Sequence, residues 1–154
     1  VIRPISICVI RRGDEILVFE ARDEKRDLTY YRPLGGGIEF GERSDDAVRR
    51  ELHEEIGAEL DELRLLTVIE NLFELEGKAS HEIVFVFEAT LADPSLYDRH
   101  TFVVTEETGT LPGAGDASPT STWRPRRSIR RDCSSTSDAL EAGRTGLDED
   151  RDVA

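Results

Sequence analysis

With 154 residues, 38% hydrophobic and 34% charged, the chain is long enough for one domain with its own core. Its 33 acidic against 20 basic residues, a formal net charge of −13, argue against a nucleic-acid backbone or an anionic membrane as the main partner, although a phosphorylated substrate stays compatible if divalent cations neutralise the site. No apolar run approaches membrane-spanning length, the opening "VIRPISICVI" lacks the marks of a signal peptide, and Cys8 and Cys133 suggest no disulfide framework, so a reducing, cytoplasmic setting is expected.

Residues 5–23, "ISICVIRRGDEILVFEARD", predict two strands around a Gly13-Asp14 turn. A polar connection, "DEKRDLT", leads into "YYRPLGGGIE", which reads as a strand interrupted by Gly35, Gly36 and Gly37. Val48, Leu52 and Ile56 recur at helical spacing, and Gly57 supplies a stop. They predict a short amphipathic helix from Ser44 to Ile56, with Ser44 as N-cap and Asp45 and Asp46 in the first turn. Residues 62–91 then read as a strand, a turn at Glu76-Gly77-Lys78 and a strongly apolar strand from Ile83 to Ala89. Strands and a helix mixed without strict alternation point to an α+β fold or an α/β/α sandwich over a mixed sheet.

After about Thr108 the composition shifts to Gly, Ser, Thr, Pro, Arg and Asp, with few large apolar residues. Such a segment buries too little surface to offset chain ordering. The expected organisation is a domain over residues 1–107 and an irregular tail over 108–154, with a short helix near Ser137 to Ala142 and Trp123 as the residue that docks on the body. Cations that are all Arg among these small residues are also what GC-rich DNA read in a shifted frame would produce.

The predicted helix carries a concentration of carboxylates. Glu51, Glu54 and Glu55 stand at i, i+3 and i+4 and share one side, two of them in the last turn, where the helix dipole already presents negative charge. A solvated charged face is one reading, but such a face more naturally mixes in Lys. Carboxylates about 6 Å apart repel by some 3 kcal/mol at an effective dielectric of 20, and a divalent ion reverses that sign. Hard oxygen donors without a Cys or His cluster suit Mg²⁺ or Mn²⁺ better than zinc.

The span from Gly36 to Ala58 has a specific pattern: Gly36, five residues, Glu42, seven residues, then "RELHEEIGA" with Arg50, Glu51, Leu52, Glu54, Glu55, Gly57 and Ala58. It resembles the Nudix box at every fixed position. That resemblance implies a Nudix hydrolase, with a loop–helix–loop on an α/β/α sandwich, that cleaves the pyrophosphate linkage of a nucleoside diphosphate joined to another group. It implies Glu51, Glu54 and Glu55 as metal ligands, the Gly36 carbonyl as a further contributor, and Mg²⁺ or Mn²⁺ as cofactor. By the same resemblance Arg50 orients Glu51, and Glu42 is structural or lies outside the metal's direct ligands. Glu51, Arg50 and Glu54 form the expected catalytic set; Glu51 is the first choice of general base, with Glu106 and Glu107 as later candidates. The alternatives are a Nudix-fold nucleotide sensor without hydrolysis, or an enzyme impaired by an aberrant C-terminus.

Substrate selection is less legible. Arg32 and Glu39, on either side of the glycine run, and Gly37 within it are candidates for substrate contact, with surface pairing to an acidic neighbour the other reading of Arg32. Tyr30, Tyr31 and Phe73 fit either base stacking or strand core, and one of His81 and Glu82 could face a cleft. The expected partner is a small nucleotide-type molecule; whether the chain forms a homodimer is open.

Overall fold

The computed structural model describes residues 1–23, 28–75, 78–104 and 120–126. Their elements run β1 (Ile2–Arg12), β2 (Glu15–Asp23), β3 (Leu28–Arg32), β4 (Leu34–Gly37), α1 (Ser44–Ile56), β5 (Leu60–Leu75), β6 (Lys78–Leu91), the 3₁₀ helix Pro94–Asp98, β7 (Thr101–Val103) and β8 (Thr120–Pro125). The strands form one mixed sheet in the order β5-β6-β1-β2-β8-β7, with β3 on β2 and β4 on β1. The fold is α+β, as the mixed element pattern predicts.

Strand β1 is the hub. It runs parallel to β6 along one edge, while its other edge is shared by β4 over Ile5–Cys8 and by β2 at Arg11 and Arg12. Its residues from Ser6 to Ile10 are all buried, as a strand covered on both faces requires. The β1–β2 connection is the expected two-residue turn: Arg12 stands opposite Glu15, and Gly13 takes φ +59°, a value that costs glycine little. Cys8 is a core residue whose thiol is pushed up to about 12, chiefly by burial, so it behaves as a small hydrophobe.

Helix α1 spans the predicted residues. Val48, Leu52 and Ile56 pack on one face of the sheet with Cys8, Ile10 and Leu34. Each fully buried aliphatic side chain there contributes roughly 1.5–3 kcal/mol. Gly57 ends the helix at φ +67°, with its N–H on the His53 carbonyl and that of Ala58 on the Leu52 carbonyl. The start differs from expectation: Arg43 is the N-cap, without a side-chain cap bond, and Ser44 is the first helical residue. The serine that secures this end is Ser6, whose buried hydroxyl donates to the Ser44 carbonyl at 2.7 Å. A second cluster, Ile7, Val9, Val84 and Val86, lies on the opposite face of the sheet.

Two further segments differ from the sequence reading. Strand β6 begins at Lys78, five residues before Ile83, because Lys78 to Glu82 pair with the end of β5; residues 76 and 77 of the expected turn lie outside the described residues. Residues 120–125, assigned to an irregular tail, form β8, which pairs antiparallel with both β2 and β7. Trp123 docks as expected, but as an inward residue of a strand, opposite Leu17. The helix expected near Ser137 to Ala142 lies outside the described residues. Among the described residues no helix is long and apolar enough to cross a membrane.

Candidate active site

The three glycines do not interrupt a strand; they are one. Leu34 to Gly37 pair with β1, Ser6 standing opposite Gly36 and Ile7 opposite Gly35. Glycine is required here by close approach. Gly35 takes φ +127°, and a Cβ on it would collide with the Ser6 carbonyl. A Cβ on Gly36 would sit 2.5 Å from a carboxylate oxygen of Glu51. The missing side chain thus makes the space into which the helix places Glu51.

All three helix glutamates are tied to this strand. Glu55, 7% exposed, accepts the Gly35 N–H at 3.0 Å. Glu51 packs against Gly36. Glu54 reaches the strand through Arg50, which donates from Nη1 to Glu51 at 2.9 Å and to Glu54 at 3.0 Å. Arg50 also donates from Nε and Nη2 to the two oxygens of Glu42, and from Nη2 to the Gly37 carbonyl at 3.0 Å. One guanidinium therefore spends its full donor set on three carboxylates and the backbone of β4. Sequence reasoning paired Arg50 with Glu51 alone; the bidentate grip on Glu42 and the Gly37 contact carried no signal in the residue pattern.

Charge follows the same geometry. The Arg50 hydrogen bonds hold the Glu42 carboxyl below its ordinary range. Glu51 moves the other way: burial between α1 and β4 pushes it above the ordinary range, aided by the charge of Glu54, and its single bond from Arg50 does not offset this. Arg50, facing three carboxylates and led by Glu42, is held more firmly protonated than a free arginine.

Among the described residues no three His, Cys, Asp or Glu side chains gather on one point. Arg50 draws Glu51 and Glu54 to itself, and Glu55 is turned to the Gly35 amide. The donor chemistry nonetheless fits a hard divalent cation: Glu51 and Glu54 each give Arg50 one oxygen, leaving Oε2 of Glu51 and Oε1 of Glu54 without a hydrogen bond from a described residue. Gly36→Ala tests the cradle. It is expected to push the Glu51 carboxylate aside and weaken Mn²⁺ binding with little loss of Tm, because the atoms in the way are the far end of a flexible side chain; a variant with wild-type Mn²⁺ affinity would remove Gly36 from the cradle.

The other candidates are scattered around this centre. Arg32 donates to the Gly35 carbonyl at 3.1 Å and lies over the Phe19 ring. Glu39 is exposed, its N–H donating to Glu42 at 3.0 Å, so its backbone helps shape the turn before the helix. Gly37 is engaged through its carbonyl by Arg50. Tyr30, Tyr31 and Phe73 are half-buried, and one ring face of Tyr31 is taken by Arg124 at 5.0 Å. His81 pairs with Glu70 at 2.8 Å, and Glu82 is buried. Glu106 and Glu107 lie outside the described residues.

A family model for the NUDIX domain matches residues 2–108, which takes in β1 to β7 and the whole Arg50 cluster. The chain belongs to the Nudix family. It is 40% identical over 63 residues to the NAD-capped RNA hydrolase NudC of Pseudomonas syringae pv. syringae (strain B728a), a match over 41% of this chain and 22% of that protein, so the chain spans about a fifth of that relative's length. Solved Nudix structures share the fold. A MutT NUDIX hydrolase from Burkholderia pseudomallei superposes with a TM-score of 0.50 at 25% identity, over 60% of this chain and 70% of that one. A NUDIX hydrolase from Nitrosomonas europaea gives 0.57 at 20% identity, over 84% and 76%. The Nudix assignment agrees with the residue pattern from Gly36 to Ala58, and in this Nudix chain the pattern's Arg is the residue that joins the pattern's glutamates.

Proposed function

We propose that this chain is a divalent-cation-dependent hydrolase of the pyrophosphate linkage in a nucleoside diphosphate joined to a further group. The observation that carries the reading is the Arg50 cluster: a complete Nudix pattern whose Glu51, Glu54 and Glu55 are all held against the glycine strand β4. Glu51 and Glu54 would hold the cation, with the Gly36 carbonyl and Glu55 beside them, and Mg²⁺ or Mn²⁺ suits these oxygen donors. When bound, the cation supplies positive charge against the phosphate oxygens and acidifies adjacent water. Arg50 keeps Glu51 and Glu54 in position through bonds they would otherwise lose to mutual repulsion. Glu51 acts as general base, the role its place against Gly36 and beside the cation allows.

A panel of nucleoside triphosphates, ADP-ribose, dinucleoside polyphosphates and nucleotide sugars, each with Mg²⁺ and with Mn²⁺, tests the proposal. Turnover of at least one compound, abolished by chelation, is the expected result. Nucleotide binding without turnover of any member would overturn hydrolysis in favour of a sensor.

A further inference from the structure

Several arginines of this chain are neutralised by carboxylates. Arg50 grips three carboxylates, Arg12 pairs with Glu15, and Arg124 with Glu20. Arg32 is different. In a chain with 13 more acidic than basic residues it forms no ion pair among the described residues, where its one hydrogen bond is from Nη1 to the Gly35 carbonyl. Its Nε is buried and has no hydrogen-bond partner among the described residues. Burying such a donor unsatisfied costs roughly 1–3 kcal/mol. The guanidinium is also held in place: it lies over the ring of Phe19, a core residue on the neighbouring strand, 5.0 Å from the centroid.

The pattern of use is specific. Nη1 is spent on the protein, while Nε and Nη2, the two nitrogens that make up the fork edge of a guanidinium, are unspent. Two parallel N–H groups on one edge match two non-bridging oxygens of a single phosphorus, which an ammonium cannot reproduce. We propose that the Nε–Nη2 edge of Arg32 is the receptor for a phosphoryl group of the substrate, held beside Glu51 by the Phe19 ring and the Gly35 carbonyl. This rests on the hydrolase reading above and adds to it the residue that grips the phosphate chain. Phe19 sets the plane of the fork, and the Gly35 contact sets its distance from the carboxylates.

Inorganic pyrophosphate serves as the probe, titrated calorimetrically into the full chain with Mn²⁺ present, and Mn²⁺ affinity is measured separately by electron paramagnetic resonance. Arg32→Lys and Arg32→Ala should each weaken pyrophosphate roughly ten- to hundredfold, leave Mn²⁺ affinity unchanged, and raise KM with little change in kcat for any compound turned over. Arg32→Lys binding pyrophosphate like wild type would overturn the proposal, because charge alone would then suffice. Joint loss of Mn²⁺ and pyrophosphate affinity would overturn it too, making Arg32 a positioning residue that acts through Gly35. Fork-dependent pyrophosphate binding by a chain that turns over nothing would sustain the phosphate receptor while ending the hydrolase reading. Turnover by a wild-type chain that does not bind pyrophosphate would do the reverse.

Discussion

Glu51→Gln is expected to lower turnover by roughly 10²- to 10⁴-fold, the range for removing a positioned general base, with no loss of folding stability at neutral pH. Glutamine keeps the size of the side chain and an oxygen for the Arg50 Nη1 bond. It removes a charge that is costly where it stands, since burial and Glu54 both disfavour ionised Glu51. Its pH dependence has a definite sign. Because the folded carboxyl is raised, the native chain holds more protons than the unfolded chain between the ordinary glutamate range and the raised one. Stability therefore falls as pH rises through that window, and the Gln variant escapes the fall. Glu42 works oppositely: its carboxyl is held low by Arg50, so its contribution is present above the ordinary range and is lost as pH falls through its depressed one. Calorimetric Tm values in metal-free buffer should show the Gln variant gaining on wild type as pH rises through the Glu51 window. A variant with wild-type kcat would remove Glu51 from the chemistry, and one markedly less stable than wild type at neutral pH would refute the burial account.

Trp123→Ala should be the most damaging single truncation outside the site, at about 3–5 kcal/mol. Against the usual 5–15 kcal/mol of a folded domain that is enough to leave much of the chain unfolded at moderate temperature. Trp123 is 5% exposed and joins segments distant in sequence. Its ring stacks on Tyr97 with centroids 5.7 Å apart, Arg12 lies over it at 4.5 Å, and its Nε1 donates to the Arg99 carbonyl at 2.8 Å. Arg12 in turn donates to the Tyr97 carbonyl, and the Tyr97 hydroxyl accepts the Leu91 N–H. Removing the indole leaves a cavity, an Arg99 carbonyl with only the longer 3.4 Å bond from Arg12 Nη1, and an arginine without its platform. Urea unfolding decides: a loss below 1 kcal/mol would mean that β8 is only laid against the sheet and that the domain is sustained without it.

What the chain's own sequence determined is what depends on near neighbours. The helix from Ser44 to Ile56 was legible because Val48, Leu52 and Ile56 mark one face and Gly57 offers the left-handed stop, both matters of adjacent turns. The site's residue types were legible through a fixed pattern over one short span, and the Arg50–Glu54 contact lies at the i,i+4 spacing that any helix provides. Strand β4 was hidden because glycines carry no side chains from which an alternation can be read; its pairing with β1 makes it a strand. Strand β8 was hidden because its buried positions are Ser121 and Trp123, and a serine facing inward conceals the period of two. The grip of Arg50 on Glu42 and Gly37, the turn of Glu55 to an amide 20 residues away, and the unspent edge of Arg32 came only with the tertiary structure. Their cause is physical: hydrogen-bond partners across such separations are chosen by which backbones packing brings together and which donors burial deprives of water, and neither is encoded in the spacing of residues along the chain.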